Sequence, residues 1–285
     1  MSTKPGSVNL DHPCAVDSRS QPINATAFRR YLALLSIKLL KRFRERSGNV
    51  LFLSKHKCVK YGTSVQLSEA ATMQFVANHT SIPVPRIYCA FTHHKRTYIV
   101  MERICGDYVG AGWLKRSEEG KASILSQLKS MIEELRRIPP PEGTGVANVD
   151  GGPLYDVRLP GTSNQFGPFR SIADFHRHLR NNLEAHPDHS PEVTKLISEQ
   201  GRHQSGPVLT HGDLSSLNVL ARGDDVVGIV DWETAGWYPE YWEYTTAWNV
   251  NPQNEFWRDE VDKFLQLMPE ELGMEKTRLK CFNIF

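Results

Sequence analysis

The densest grouping of chemically capable side chains lies in one stretch, His211-Gly212-Asp213-Leu214-Ser215-Ser216-Leu217-Asn218, and thirteen residues later comes Asp231 in Ile229-Val230-Asp231-Trp232-Glu233. The pattern is H-G-D-x4-N, two short apolar runs, then I-V-D. Two carboxylates and a carboxamide so spaced suit chemistry on dense negative charge. Hard oxygen ligands hold magnesium, which neutralises phosphate. Another Asp can orient an attacking hydroxyl and accept its proton. A hairpin between Asn218 and Asp231 would return the second Asp to the first, and apolar strands would hold both rigidly, as preorganised catalysis requires. Asp and Asn also favour ordinary turns. The full ten-residue loop, His211 to Leu220, with I-V-D-W-E at the right distance, is what separates the two readings.

Such a loop needs a frame. Residues 26–46 form a basic helix in which Phe28, Tyr31, Leu32, Leu35, Leu39 and Phe43 recur at mostly helical spacing. A helix of this kind lies on a membrane surface or packs its apolar stripe on a neighbouring sheet; packing on the small lobe is the ordinary expectation. Ser47-Gly48-Asn49 breaks it. Residues 50–53 and 58–61 make a hairpin. A helix over 68–79 follows, with Ser68 as N-cap. Ile82-Pro83-Val84-Pro85 leaves helical geometry, and residues 87–91 and 97–103 add two strands. Residues 121–138 then show a helical apolar face (Ile124, Leu128, Met131, Leu135, Ile138), stopped by Pro139-Pro140-Pro141. The Gly-, Pro- and Asn-rich connection 141–170 is long enough to be functional. Residues 169–178 and 191–200 read as helices, and 208–209, 219–221 and 226–230 as short strands. The chain from Glu240 reads as helical and aromatic-rich.

The catalytic segment resembles that of the aminoglycoside phosphotransferase and choline kinase family, relatives of the protein kinases, whose H-R-D loop has the same Asp-to-Asn spacing and whose D-F-G supplies the second Asp. The resemblance covers roughly residues 50–250. Thr80 to Arg86 and Gly236 to Tyr244 are most similar to a fungal branch of the family. It implies an α+β, two-lobed protein kinase-like fold: an irregular tail over 1–25, an ATP-binding lobe over 26–103 with antiparallel sheet and helix, and a mainly helical catalytic lobe over 104–285. It implies ATP and Mg2+ as cofactors, Asp213 as catalytic base, Asn218 and Asp231 as metal ligands, and His211 as a brace. Lys60 in Cys58-Val59-Lys60-Tyr61 would contact phosphates, with Glu69 as its ion-pair partner. Tyr98 to Gly106 resembles the hinge, so Met101, Glu102 and Ile104 would lie against adenine. Two departures stand out: no G-x-G-x-x-G precedes Lys60, with Gly48 and Asn49 the nearest substitute, and Lys60 and Glu69 are only nine residues apart.

For an acceptor, the aromatic and acidic run offers Glu233, Trp237, Glu240 and Glu243, because aromatic faces and carboxylates bind amines; core packing competes for the same aromatics. Asp156 and Arg158 are candidates by location alone. The scattered histidines lack zinc-site spacing, and no G-x-S-x-G supports a serine hydrolase. A net charge of +2 over 285 residues gives no reason to expect nucleic acid. Five cysteines without a C-x-x-C pair fit a reducing, cytoplasmic setting, and no run is long enough to span a membrane. The expected protein is a monomer or weak dimer acting on a small hydroxyl-bearing metabolite. A nucleotide-binding scaffold and a protein kinase are the competing readings; the missing glycine loop favours the first, and the absence of H-R-D, D-F-G and A-P-E weakens the second.

Overall fold

The computed structural model describes residues 20–159, 164–203, 205–249 and 252–282. Most of the tail expected over 1–25, with Cys14, lies outside them. Its last residues strap the sheet: Ile23 and Ala90 exchange backbone hydrogen bonds of 2.9 Å in both directions.

Helix α1 (Ala27–Leu40) opens at Thr26, whose hydroxyl accepts from the Arg29 amide at 3.3 Å. It packs on the small lobe, but through a different face from the one expected. Ala33 and Ile37 are buried against the sheet, whereas Phe28, Tyr31, Leu32 and Leu39 are exposed, as is Phe43 just beyond the helix. An alanine and an isoleucine make the buried contact with the sheet, and the larger apolar stripe turns outward.

Strands β1 (Arg46–Ser47), β2 (Val50–Phe52), β3 (Lys57–Gly62), β4 (Ile87–His93) and β5 (Arg96–Glu102) form an antiparallel sheet in the order β1-β2-β3-β5-β4. Strand side chains alternate between faces. On β3, Val59 and Tyr61 therefore join the cluster under α1, while Cys58 joins the main core and Lys60 points into the cleft. Helix α2 (Leu67–His79) covers the cleft face of the sheet. It begins one residue before Ser68, which is buried within the first turn instead of capping it; the N-cap position is Gln66, with no side-chain cap bond.

The larger lobe begins with β6 (Asp107–Tyr108) and α3 (Glu118–Arg136), which is capped by Ser117 three residues earlier than expected. Ile124, Leu128 and Leu135 are solvent-excluded along one face of α3, as the spacing predicts. The long connection carries a two-stranded ladder, β7 (Leu154–Tyr155) with β8 (Gln165–Phe166). Helices α4 (Ile172–Leu179) and α5 (Pro191–Gln200) follow, then β9 (Val208–Thr210), β10 (Val219–Arg222), β11 (Asp225–Ile229), β12 (Gly236–Tyr238), α6 (Trp242–Trp248), α7 (Arg258–Phe264) and α8 (Pro269–Phe282). One hydrophobic cluster runs through both lobes, joining Met73 of α2, Leu128 of α3, Leu214 of the loop and Ile229 of β11. Because the lobes share that core, the cleft between them is held from both sides.

Candidate active site

The H-G-D loop runs from β9 to β10 and is braced before any chemistry is considered. Gly212 has φ +79, and a Cβ there would come within 2.9 Å of the Thr234 carbonyl oxygen, so only glycine fits. The His211 and Gly212 amides donate to the two oxygens of Glu243, at 2.6 and 3.1 Å. His211 is fully buried and bonds the Val230 carbonyl at 3.0 Å through Nε2. These contacts tie the loop to α6 and to the strand that leads into Asp231.

Asp213 emerges from this brace partly exposed. Its Oδ2 accepts from the Asn218 amide at 2.8 Å and its Oδ1 from Arg158 at 3.1 Å. Burial pushes the Asp213 carboxyl above the usual carboxylate range, against the opposing pull of Arg158, His211 and Asn218. The Asn218 amide nitrogen also bonds the Asp213 carbonyl at 2.7 Å, which fixes the orientation of the carboxamide.

The β10–β11 hairpin closes the distance to Asp231, with Val219 opposite Ile229 and the Val230 amide on the Asn218 carbonyl at 2.9 Å. Asp231 adopts the left-handed conformation, φ +64, which costs a non-glycine residue about 1 kcal/mol. Such strain persists where the surroundings overdetermine it.

Across the cleft, Lys60 Nζ meets three carboxylates: Glu69 at 2.9 Å, Asp231 at 2.6 Å and Glu233 at 3.0 Å. Burial works against the ammonium charge, but the three carboxylates outweigh it and hold Lys60 well above its ordinary value. Burial raises Glu69 to about 7; Lys60 opposes this, and Asp231 and Glu233 add to it. One cation facing three carboxylates leaves an excess of negative charge. Oxygens of Glu69, Asp231 and Glu233 lie within 4.8 Å of one another, and Glu69 Oε2 is buried with no hydrogen-bond partner. An all-oxygen set of this kind suits a hard divalent cation.

A cavity of about 480 Å³ opens beside Lys60. Its walls include Met101, Glu102 and Ile104 and the Gly48-Asn49 turn between β1 and β2. Gly48 has φ +52 and open space around its Cα, so the turn that overhangs the cavity relies on one glycine.

The proposed acceptor residues do not gather into one site. Glu233 belongs to the Lys60 cluster. Trp237 is almost fully buried and packs edge-on against Phe75, so it is a core residue. Glu243 is fully buried and spent on the loop amides. Glu240 is exposed on the far side, where its carbonyl accepts from Arg136. The aromatic cluster is interior packing: Tyr238 stacks on Trp242 at 5.5 Å and both are solvent-excluded.

Asp156 and Arg158, suggested only by their place in the connection, do reach the site. Buried Asp156 grips Arg158 at 2.7 and 2.9 Å, and Arg158 then holds Asp213 and, at 2.6 Å, the Gly212 carbonyl. A second cavity of about 330 Å³ adjoins this pair and is lined by α6 and α8. There Trp242 Nε1, Glu275 Oε1 and Arg278 Nη1 are buried without hydrogen-bond partners, although Arg278 Nε bonds the other Glu275 oxygen at 2.7 Å. The sequence signals for these residues are weak: a D-x-R pair in a loop, and a Glu and an Arg three apart on a C-terminal helix.

Residues 64–276 match the family described as the phosphotransferase enzyme family, APH. A search of curated protein sequences finds no match. Among solved structures, aminoglycoside phosphotransferase APH(4)-Ia superposes with a TM-score of 0.60 at 14% identity, over 87% of this chain and 89% of that one. The ADP-bound aminoglycoside phosphotransferase APH(2'')-Ib gives 0.56 at 16% identity, over 87% and 86%. The streptomycin–ATP ternary complex of APH(2'')-IIa gives 0.54 at 16%, with the same coverage. The structural likeness establishes the two-lobed kinase-like fold, and the match over most of the chain establishes that this protein belongs to the APH phosphotransferase enzyme family.

Proposed function

We propose that the protein transfers the γ-phosphoryl group of ATP, with Mg2+, to the hydroxyl of a small molecule. The observation that carries this reading is the convergence of Asp213, Asn218, Asp231 and Lys60, from three separate stretches of chain, on one cleft. Residues 26–103 would then serve as the nucleotide lobe and 104–285 as the catalytic lobe.

Each residue has a task set by its contacts. Asp213 is the base: its raised proton affinity suits it to take a proton from a hydroxyl, and its grip by Asn218 and Arg158 aims it. Lys60, which here holds Glu69, Asp231 and Glu233, would steady phosphate oxygens of the nucleotide. Asp231 and the Asn218 amide oxygen, left free when its nitrogen is spent on Asp213, would hold Mg2+, with Glu69 and Glu233 beside them. Mg2+ when bound neutralises charge on the phosphates. Met101, Glu102 and Ile104 flank the base of the nucleotide, and the Gly48-Asn49 turn takes the place of a glycine-rich loop. Relatives of this fold were solved with ADP, and with ATP and streptomycin, which supports a nucleotide in the larger cavity.

The acceptor enters from the Arg158 side, into the cavity under α6 and α8. Three arginines line it (Arg158, Arg258 and Arg278) against two carboxylates, Asp156 and Glu275, each already paired with an arginine.

Calorimetry of ATP binding with and without Mg2+, on the wild type and Asp231→Ala, tests the core of this reading. Mg2+-dependent binding that disappears in the variant is expected. Absence of ATP binding in both proteins would favour the scaffold reading, and binding indifferent to Mg2+ would remove Asp231 as a ligand.

A further inference from the structure

We propose that α1 is a docking helix for an anionic lipid surface, a role separate from phosphotransfer. Phe28, Tyr31, Leu32, Leu35 and Leu39 follow i, i+3, i+4, i+7, i+11 spacing and so form one stripe. In a helix that merely covers a core, that stripe faces inward. Here it faces out: Phe28 is 69% exposed, Tyr31 62%, Leu39 58% and the following Phe43 84%. Among the described residues, five of the ten large apolar side chains left exposed fall within residues 28–43. Such concentration on one short segment marks an interaction site, since scattered single exposures are the norm.

Charge identifies the occupant. Between Phe28 and Arg46 there are seven arginines and lysines and one glutamate. Arg30 and Arg46 are turned back onto the sheet, over the Phe91 and Tyr61 rings. Arg29, Lys38, Lys41, Arg42 and Arg44 stay exposed, and none of them forms an ion pair among the described residues. At a hundred degrees per residue, Lys38 flanks one edge of the stripe and Arg29 the other, and Arg42 follows just beyond the end of α1. An apolar ridge between basic flanks is the pattern that lies in a lipid interface, with rings and leucines among the acyl chains and cations at the headgroups. A second copy of the chain is a poor occupant, because the same cations would meet face to face. The cleft stays free in the docked state: α1 packs on the Val59 and Tyr98 side of the sheet, whereas Lys60 points from the opposite face.

The test uses the full-length protein with vesicles of phosphatidylcholine alone and of phosphatidylcholine with phosphatidylserine. Co-sedimentation with the phosphatidylserine vesicles alone is expected, weakening as salt rises. Two variants should each lower the partition coefficient by about tenfold or more: Phe28→Ser with Leu39→Ser and Phe43→Ser, and Lys38→Glu with Arg42→Glu. Both sets leave the cleft untouched, so melting temperature and Mg-ATP affinity should match the wild type. Failure of the folded wild type to bind phosphatidylserine vesicles overturns the proposal, as does undiminished binding by either variant. Light scattering that shows a dimer, dissociated by the apolar substitutions, would reassign the face to contacts between copies.

Discussion

On the Lys60 side of the cleft the charged groups are settled among themselves: one ammonium holds three carboxylates, and the single orphan is Glu69 Oε2. On the Arg158 side, Asp156, Arg158 and Asp213 are also joined, but the cavity beyond keeps Trp242 Nε1, Glu275 Oε1 and Arg278 Nη1 buried and unmatched. A buried polar group without a partner costs about 1–3 kcal/mol. Three of them around one cavity are left to pair with water or with a bound ligand. On the proposed function, the nucleotide side is a closed set that a metal and phosphates would rearrange, and the acceptor side a half-built one that a ligand would complete.

The largest effect expected is at the junction of the two sides. Asp213→Asn keeps the shape and the Asn218 contact but cannot take a proton. Transfer should fall by roughly 10²–10⁴-fold, the usual worth of a general base, while Mg-ATP affinity and melting temperature stay near wild type. Product formation from radiolabelled ATP, followed alongside calorimetry, checks both halves. Equal loss of turnover and stability would turn Asp213 into a structural residue and dissolve the boundary between the two sides.

A second prediction addresses the unmatched side directly. Arg278→Met strands Glu275 as a lone buried carboxylate and should destabilise the fold by about 3–5 kcal/mol. Removing both charges, with Glu275→Leu added, should restore most of that stability, because the pair is poorly satisfied to begin with. Urea denaturation of the wild type, single and double variants measures this, and Mg-ATP affinity should be unchanged in all three. A double variant as unstable as the single one would mean that the pair is a structural anchor, with no vacancy waiting for a ligand.

The contrast also separates what the sequence discloses from what it hides. Asp213, Asn218 and Asp231 were legible because one loop and one hairpin set their geometry, so spacing along the chain stands in for distance in space. Lys60 and Glu69 were legible for a similar reason: β3 and α2 are consecutive, and a nine-residue gap spans the turn between them. The span of α5 followed from periodicity and proline, whereas α3 keeps the expected apolar face but starts three residues earlier. The acceptor side resisted because its walls come from residues 156–159, α6 and α8, spread over more than a hundred residues of chain with no pattern linking them. Trp237 and Glu243 misled for a related reason, since an aromatic or acidic residue near a motif has the same sequence signature whether it binds a ligand, fills the core or braces a loop. The outward turn of α1 was hidden as well: periodicity reveals that a stripe exists, and only the shape of the sheet decides which way it faces.

The smallest effect expected lies in the helical packing of the large lobe, where His176 of α4 is buried against Tyr241, Nε2 to the phenol oxygen at 2.7 Å. Burial, with His203 and Arg180 nearby, lowers its pKa from the ordinary 6.5 to about 3. The sign follows from linkage. The folded state holds the neutral imidazole and the unfolded chain binds the proton more readily, so the contribution to stability is complete above pH 6.5 and is lost as pH falls toward 3. His176→Gln retains a polar partner for Tyr241 but cannot titrate. The stability advantage of the wild type over this variant should therefore shrink by about 1.4 kcal/mol per pH unit between pH 6 and 4, read from urea midpoints at each pH. A constant difference would mean that the imidazole protonates inside the fold, and that the packing around His176 and Tyr241 admits water more freely than its burial implies.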